Sequence, residues 1–365
     1  MTLVHVLLPD LVDDVRRPSG GSIYDRRALA GLTSLGWTVR EHVVPGPWPW
    51  PARDAVRALR VVVERIPDGS TVLVDGIIAS ATPDVLVPAS RRLRLVVVVH
   101  LPLGETFPGS GDVATVRRDE RAVLEAADAV VVTSAWTRRR VLARYDLDPA
   151  TVHVAEPGTD RAHPTRSRPD GVRLVQVAPL TAIKGHDVLL DALGRLTDLD
   201  WSLRLVGATD LEVAYAASLG PALDTLGDRV SLTGALGRAE VDAVLAETDL
   251  LVVPSRTETY GMAATEALAR GIPVVASAVG GLPETLRGTG TDDDLPGAVV
   301  APDDAEALAA VLRGWLEDET LRARWRAAAR RRRQALHGWD RTALVVADVL
   351  ADVAHRAQPP EAVAR

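Results

Sequence analysis

The sequence predicts an α/β protein built from two halves, each a doubly wound parallel sheet with helices on both faces. Short apolar runs rich in β-branched residues alternate with helical stretches along the whole chain. Residues 156–171 are rich in proline, glycine and charge without an apolar period, so they are predicted to link two halves of similar size. The 365 residues suffice for about two domains.

Nine strands follow from the apolar runs: residues 3–8, 71–74, 95–99 and 129–133 in the first half, and 172–177, 203–206, 230–232, 250–253 and 273–276 in the second. Helices are predicted over 22–35, over 262–270 with Gly271 as a stop signal, and over 338–357, where an amphipathic pattern needs a partner face. Ligands of doubly wound sheets bind beyond the carboxyl ends of the strands. We therefore expect loops 9–21, 100–111, 179–185, 234–237 and 254–261 to converge on a cleft between the halves.

The composition is that of an ordinary soluble globular protein, with 47% hydrophobic and 25% charged residues. The chain contains no cysteine, which excludes disulfides, thiolate metal sites and a cysteine nucleophile. The N-terminus lacks a basic region before its apolar run, and no run is long enough for a membrane span. The cytoplasm is the expected compartment.

The charge balance argues against a nucleic-acid partner, because the formal net charge is −7 and the pI is about 5.7. One segment departs from this balance, since residues 322–333 contain a dense group of arginines. We interpret the segment as a solvated helix, with weak contact to a membrane surface or acidic lipid as the alternative. The sequence makes no prediction of the oligomeric state.

Residues 254–284 are the most informative segment, because they place two glutamates, Glu258 and Glu266, around a predicted helix start at Gly261. Glu258 lies in the loop that follows an apolar strand, and Glu266 lies about a turn and a half into the helix. The unpaired N–H groups of a helix start favour an anion, whereas carboxylates accept hydrogen bonds from hydroxyl groups. A sugar nucleotide offers both groups, so the pattern predicts such a ligand.

Lys184 is the only lysine among 42 lysine and arginine residues. Its position between a predicted strand and Gly185 would place a compact positive charge where it can neutralise a leaving diphosphate. A solvated surface lysine is the alternative interpretation.

Four segments, 156–160, 177–193, 232–236 and 254–284, together resemble the nucleotide-binding half of retaining glycosyltransferases of family 4. The resemblance covers the second half of the chain, and the first half fits in outline. It implies the GT-B fold, in which two Rossmann-like domains face an interdomain cleft. It further implies an acceptor-side domain at 1–165, a nucleotide-sugar domain at 166–337, and a helix and tail at 338–365 that cross back to the first domain.

In the second half, the resemblance implies that Glu266 binds the ribose of the donor. It implies that Glu258 contacts the donor hexose, where a carboxylate favours positive charge developing at the anomeric carbon. The remaining donor-binding positions implied are Tyr260, Gly261, Met262, Gly234 and Leu236. Because Gly234 and Leu236 would meet the nucleobase through their backbone, the base itself is not determined.

In the first half, the resemblance places His100 on the acceptor side of the donor sugar. Gly20 and Gly21 follow the first predicted strand, where a glycine pair lets the backbone approach a phosphate or the acceptor closely. A structural histidine at a strand end and an ordinary flexible turn are the alternatives.

The sequence departs from the family pattern at the diphosphate end of the site. The family has an arginine in a Gly-Arg-Leu-like triplet, whereas this chain has Pro179 at that position. Arg256, in the neighbouring loop, is the candidate replacement. Asp292 and Asp294 have the D-x-D spacing of metal-dependent transferases, but they lie in a loop that we interpret as a solvated turn. No metal or other cofactor is expected.

The expected function is retaining transfer of a sugar from a nucleoside-diphosphate sugar, UDP-linked or alternatively GDP-linked, to a hydroxyl of a small molecule, glycan or lipid. The catalytic residues expected are Glu258, Lys184 and His100. The alternatives are an epimerase or phosphorylase on the same scaffold and a non-catalytic sugar-nucleotide-binding protein. A dinucleotide oxidoreductase would need a G-x-G-x-x-G fingerprint, which the early strands lack.

Overall fold

The computed structural model describes residues 2–14, 16–106, 113–288, 290 and 295–356. Contacts divide the chain into two compact units. The first contains the described residues of segments 1–14, 19–158 and 339–365, and the second contains those of 15–18 and 159–338.

The first unit has a six-stranded sheet in the order β2-β1-β3-β4-β5-β6, in which every pair is parallel. Its strands are β1 Leu3–Pro9, β2 Thr38–Val44, β3 Thr71–Asp75, β4 Arg94–Val99, β5 Ala129–Val132 and β6 Val152–Val154. Its helices are α1 Gly20–Ser34, α2 Arg53–Glu64, α3 Gly76–Ala79, α4 Pro83–Ala89, α5 Leu103–Thr106, α6 Val113–Ala126, α7 Ala135–Tyr145 and α16 Trp339–Arg356. The short 3-10 helices Asp10–Asp13 and Pro149–Thr151 complete this unit.

The second unit has a six-stranded parallel sheet in the order β12-β11-β10-β7-β8-β9. Its strands are β7 Arg173–Val177, β8 Ser202–Val206, β9 Val230–Leu232, β10 Leu250–Val253, β11 Val274–Ser277 and β12 Gly297–Val300. Its helices are α8 His186–Gly194, α9 Val213–Ser218, α10 Gly220–Leu226, α11 Arg238–Ala246, α12 Met262–Leu268, α13 Leu282–Arg287, α14 Ala305–Glu317 and α15 Glu319–Gln334. The 3-10 helices are Ala182–Lys184 and Gly227–Arg229.

Several central strands are buried along their whole length, because helices cover both faces of each sheet. Every residue of β3, β5, β10 and β11 is buried, which explains their continuous apolar sequences. In the first unit, α1 and α16 pack together over one face, and an added Cβ at Gly31 of α1 would lie 2.3 Å from Ala343 of α16. The second unit has its own pair of apolar clusters, one on each face of the sheet.

All nine predicted strands are present, and the three that the sequence did not reveal lie at sheet edges. These are β2, β6 and β12. An edge strand is covered on fewer sides than a central one, and β2 is largely exposed and contains Arg40, Glu41 and His42. The apolar run that identifies a central strand is therefore missing at these edges.

The arginine-rich residues 322–333 lie in α15 and are not the solvated helix that was expected. The Arg322 side chain is buried and donates hydrogen bonds to the carbonyl oxygens of Pro169, Trp315 and Leu316. Three further arginines of this segment donate to carbonyl oxygens: Arg326, Arg332 and Arg333. Arg324, Arg330 and Arg331 are exposed, and membrane contact by them stays a prediction.

The predicted linker is bound closely to the second unit over its later part. Thr165 and Arg166 donate backbone N–H groups to Arg270 and Ala246, and Arg168 donates its N–H to the buried carboxylate of Asp249. In the part of the chain that the structure describes, no helix combines the length and the apolar character needed to cross a membrane.

Candidate functional site

The topology of the second sheet identifies where a ligand is expected to bind. The chain runs outward from β7 to β8 and β9, and then returns to add β10 on the other side of β7. The sheet therefore has its switch point between β7 and β10, and the crevice at the carboxyl ends of such strands is the usual ligand site. Lys184 follows β7 and Glu258 follows β10, so two of the predicted residues flank this point.

The structure brings Lys184 and Glu258 into direct contact. The Lys184 Nζ atom donates to Glu258 Oε2 at 2.7 Å, and the two side chains are 20% and 19% exposed. Each partner is thus mostly covered by protein but still open to a ligand. A cation for phosphate oxygens and a carboxylate for hydroxyl groups are therefore held at one place.

The turn that carries Lys184 is fixed by contacts from three sides. The Gln176 side chain donates to the Lys184 carbonyl at 2.8 Å, and the Arg256 backbone N–H donates to the Ile183 carbonyl at 2.8 Å. Gly185 has a φ of +66°, and a Cβ at this position would lie 2.0 Å from the Pro254 carbonyl oxygen. Only glycine lets the Lys184 turn approach the Glu258 loop so closely.

The loop that carries Glu258 is held by the turn that follows the neighbouring strand, β11. An added Cβ at Gly280, after β11, would lie 1.5 Å from the Glu258 carbonyl oxygen, and the N–H of Gly281 donates to the same oxygen at 3.1 Å. The Gly-Gly pair of residues 280–281 thus supports the backbone of Glu258. This contact gives a structural role to the two adjacent glycines, to which the sequence analysis assigned none.

Arg256 already has several partners in the second unit. Its guanidinium group donates to Asp187 at 2.6 and 2.9 Å, to Asp303 at 2.6 Å and to the Ala182 carbonyl. Arg256 therefore supports the turn before Lys184 from its side chain as well as its backbone. Its suggested role as the second diphosphate cation, in place of Pro179, stays a prediction.

Glu266 is paired with an arginine that sequence reasoning missed. Arg238 Nη1 donates to Glu266 Oε1, and Arg238 Nε also lies 3.2 Å from Asp242. Arg238 is the first residue of α11, directly after the segment that contains Gly234 and Leu236. No spacing rule marks this residue, but its place beside the expected nucleobase segment was a usable signal.

The other predicted donor positions lie in the loops after β9 and β10. Gly234 has a φ of +73° and its carbonyl accepts the N–H of Gly207, while Leu236 packs against the apolar core. Tyr260 is buried, Gly261 precedes α12 with a φ of +93°, and Met262 begins that seven-residue helix. These positions share the edge of the sheet that carries Lys184 and Glu258.

In the first unit, Gly20 and Gly21 follow β1 and His100 follows β4, near the corresponding switch point between β1 and β3. Gly20 and Gly21 form the first turn of α1 and not a separate loop, since Ser19 caps the helix by accepting from Ser22 N–H. An added Cβ at Gly21 would lie 3.2 Å from the His100 ring. A side chain at position 21 would therefore crowd the imidazole.

His100 is also bonded to a buried aspartate that the sequence did not reveal. Its Nε2 atom lies 2.9 Å from Asp25 Oδ1, and Asp75 is close to both. The loop after His100 is held by the fully buried Glu120, whose carboxylate accepts the N–H groups of Leu103 and Gly104. Residues 107–112 of that loop lie outside the described residues, as do Asp292 and Asp294.

Two family models match this chain in sequence. The model described as Glycosyltransferase Family 4 matches residues 4–163, and the model described as Glycosyl transferases group 1 matches residues 162–332. Among curated proteins, the chain is 31% identical over 274 residues to D-inositol 3-phosphate glycosyltransferase 1 of Catenulispora acidiphila. That match covers 67% of this chain and 63% of the relative, so the chain spans less than two thirds of its length.

Solved structures with the same architecture cover nearly the whole chain. Sucrose-phosphate synthase from Thermosynechococcus elongatus matches with a TM-score of 0.81 and 22% identity over 98% of this chain and 100% of that chain. Anabaena HepE, solved in complex with UDP-glucose, matches with a TM-score of 0.76 and 19% identity over 96% and 100%. At this identity the likeness establishes the fold. The family matches and the two parallel six-stranded sheets show that the chain belongs to the family 4 glycosyltransferases and has the GT-B fold.

Proposed function

We propose that this protein transfers a glycosyl unit from a UDP-linked sugar to a hydroxyl group of an acceptor, with retention of configuration at the anomeric carbon. The observation that carries this proposal is the Lys184–Glu258 pair, held at 2.7 Å beside the switch point of the second sheet. The pair combines a phosphate-binding cation with an acceptor of hydroxyl hydrogen bonds. A UDP-linked donor is the first choice because the structural neighbour HepE was solved with UDP-glucose.

In the proposed reaction, the bond between the anomeric carbon and the diphosphate oxygen breaks, and the acceptor oxygen forms a new bond on the same face of the sugar. Lys184 stabilises the negative charge that develops on the leaving diphosphate. Glu258 favours the positive charge on the anomeric carbon and orients the hexose through its hydroxyl groups. The acceptor proton passes to the diphosphate, so the step balances without a separate base.

Glu266 is proposed to bind the ribose of the donor. Its pairing with Arg238 leaves the carboxylate oriented and 15% exposed, which suits a group that accepts hydrogen bonds from ribose hydroxyls. We also propose that the enzyme acts in the cytoplasm without a metal ion. Activity that persists in EDTA, and fractionation of the producing cells, will test these two points.

A thermal-shift panel of uridine, guanosine, adenosine and thymidine diphosphate sugars tests the donor. A ligand that binds only the folded protein stabilises it by about 2.7 kcal/mol at a hundredfold excess over its Kd. We expect a clear shift with UDP-sugars. A shift only with GDP-sugars would identify guanine, and not uracil, as the base of the donor. No shift with any of the four donors would contradict the proposal.

Transfer itself is tested with the donor that the panel selects, first alone and then with candidate acceptors. D-inositol 3-phosphate belongs in the acceptor panel because relatives of this chain are named for it. We expect Lys184→Ala to lower kcat by about a hundredfold or more, since it removes a charge that stabilises the transition state. The control is Arg204→Ala, which removes an exposed cation of β8. Full activity in Lys184→Ala would refute the assignment of Lys184.

The stereochemistry and the alternative reactions are read from the same incubations. The anomeric proton of the product, observed by NMR at early times, distinguishes retention from inversion. Isomerisation of the donor when no acceptor is present would indicate an epimerase, and dependence on inorganic phosphate would indicate a phosphorylase. Binding of the donor without any turnover would indicate a non-catalytic binding protein.

A further inference from the structure

A buried cluster of three titratable side chains lies in the first unit, at the switch point of its sheet. Asp25 comes from α1, Asp75 is the last residue of β3, and His100 directly follows β4. One side-chain atom from each lies within 4.8 Å of the others, and His100 Nε2 is 2.9 Å from Asp25 Oδ1. Asp25 and Asp75 are 6% and 5% exposed, so solvent hardly reaches either carboxyl group.

The ring of His100 is clamped in one orientation. Gly21 lies close to the ring, since an added Cβ there would be 3.2 Å from it, and the Tyr24 ring approaches edge-on with its centroid 5.1 Å away. The Asp25 carboxylate then fixes Nε2. Because the side chain is still 14% exposed, His100 is the member of the cluster that reaches solvent at this edge.

The two carboxyl groups cannot both carry a charge at low cost. A cavity of about 10 Å³ beneath them is lined mainly by apolar side chains, which keeps the local dielectric low. Asp75 already accepts the N–H of Ile77 through Oδ1 at 2.9 Å, whereas Asp25 Oδ2 has no hydrogen-bond partner among the described residues. A proton on Asp75 would supply a donor for that neighbouring carboxylate.

The electrostatic balance agrees with this arrangement. Burial and the charge of Asp25 raise the pKa of Asp75 to about 7, although the positive charge of His100 opposes the shift. Burial lowers the pKa of His100, but the charge and hydrogen bond of Asp25 and the charge of Asp75 raise it to about 9. Tyr24 also faces His100; its phenol donates to the Ala155 carbonyl, and burial raises its pKa.

We propose that Asp25 and Asp75 are positioning residues: the Asp25 carboxylate bonds Nε2 of His100, Asp75 lies beside both, and together they hold His100 as an oriented imidazolium. This inference rests on the proposed glycosyl transfer. The ring then presents a positive charge to the substrate at this edge and cannot act as a general base near neutral pH. The assignment agrees with a reaction in which the leaving diphosphate, and not a side chain, takes the acceptor proton.

The charge state is tested by NMR on protein labelled with 15N at histidine, with His100→Gln used to assign the ring signals. In the wild type we expect His100 to remain an imidazolium well above pH 7 and to titrate near pH 9. In Asp25→Asn we expect the midpoint to fall to about 6.5 or below, because the ring loses its charged partner. The matched control is Asp84→Asn, which removes an exposed carboxylate of α4 in the same unit.

The functional role is tested by the pH dependence of transfer. At pH 7.5, Asp25→Asn should lower kcat by roughly tenfold or more with little change in donor KM, because the ring is then neutral. Lowering the pH towards 5.5 should restore part of the activity of this variant as the ring regains its proton. His100→Gln should lose activity without such recovery.

Three results would overturn the inference. The first is a His100 midpoint near 6.5 in the wild type, the second is unchanged midpoint and kcat in Asp25→Asn, and the third is saturable binding of Zn²⁺ that Asp25→Asn abolishes. The wild-type titration remains decisive even if the variants fail to fold. If His100 titrates near pH 9 in a protein that transfers no sugar, the proposed function fails; if transfer is intact and His100 titrates near 6.5, the inference alone fails.

Discussion

Among single residues, Arg238 shows how the carboxylate of Glu266, the proposed ribose-binding group, is held in place. Glu266 lies on a short helix and would have several rotamers if it were unpaired, but Arg238 bonds one of its oxygens. Arg270 donates to the backbone carbonyl of the same glutamate at 2.8 Å and also pairs with Asp242. The glutamate is thus fixed through both its backbone and its side chain, and such preorganisation would lower the entropy lost if the proposed donor binds there.

Replacing Arg238 by alanine should weaken donor binding more than catalysis. A hydrogen bond to a charged group contributes about 1.5–3 kcal/mol, so we expect donor KM to rise by about tenfold or more with kcat nearly unchanged. Initial-rate kinetics at varied donor concentration measure both constants. Arg195→Ala is the control, since Arg195 forms an exposed ion pair with Asp191 in the same unit. A donor KM equal to that of the wild type would show that Arg238 does not act through Glu266.

The sequence singled out the polar residues at the strand ends more readily than the residues that contact them. Lys184, Glu258 and His100 follow apolar strands, where a polar residue stands out. Asp25 lies within a predicted helix and Arg238 begins α11, which was not predicted, and charged residues are common in helices and carry no pattern. Their roles depend on contacts across many residues of sequence, which spacing rules do not capture.

Among structural elements, the Gly280 turn is the contact that holds the Glu258 loop. We expect Gly280→Ala to destabilise the protein by about 3 kcal/mol or more, because the added Cβ meets a backbone oxygen and the φ of +56° is strained for alanine. Gly36→Ala is the matched control: Gly36 has a φ of +87° but nothing within 4 Å, so only a backbone penalty of about 1 kcal/mol is expected.

Urea unfolding compares the two glycine variants, and the thermal shift with donor reports on the loop. Gly280→Ala should also lose most of the donor-induced shift, whereas Gly36→Ala should keep it. Equal loss of stability in both variants would mean that the loop moves aside at little cost, and the proposed support of Glu258 would be wrong.

Helix α15 offers a second test at this scale, because it contains a buried and an exposed arginine two residues apart. Arg322→Ala should destabilise the protein by about 2–4 kcal/mol, since three carbonyl groups lose their donor and a buried side chain leaves a space. Arg324→Ala should change stability by no more than about 0.5 kcal/mol. Comparable unfolding midpoints in urea would refute a structural role for Arg322.

The strands show why composition predicts some elements and not others. β3, β4 and β5 are apolar because neighbouring strands and two layers of helices enclose them. β2 needs no such sequence, since one side faces solvent and most of its residues are exposed. The fold class could therefore be predicted from the central strands, whereas the full strand count could not.

At the scale of the whole molecule, each unit contains buried titratable groups, and those of the two units considered next affect stability in opposite directions as the pH changes. In the first unit, Asp75 and His100 have pKa values raised to about 7 and about 9. Their protonated forms are favoured by folding, so the stability that they contribute is lost as the pH rises through these values. In the second unit, His186 is completely buried at the start of α8, and burial lowers its pKa to about 4.

The sign for His186 is the reverse, because folding favours its neutral form. Its contribution is fully present above pH 6.5, the pKa of an unfolded histidine, and is lost as the pH falls from 6.5 towards 4. His186→Phe keeps a ring and cannot be protonated, so the variant should lose less stability over this range than the wild type, by about 2–3 kcal/mol at pH 4. His163→Phe, at an exposed histidine of the same unit, is the control and should follow the wild type.

Because two units need not unfold together, one midpoint for the whole chain is not a sufficient measurement. Hydrogen exchange at pH 6.5 and pH 4.5, followed by mass spectrometry, reports separately on β7 and α8 and on β3 and β4. After correction for the intrinsic exchange rate at each pH, acid should speed exchange in β7 and α8 of the wild type. His186→Phe should reduce that change without affecting exchange in β3 and β4. If acid speeds exchange in β7 and α8 equally in the wild type and in His186→Phe, the buried histidine does not control the acid stability of the second unit. The groups responsible would then have to be sought among the carboxylates of that unit.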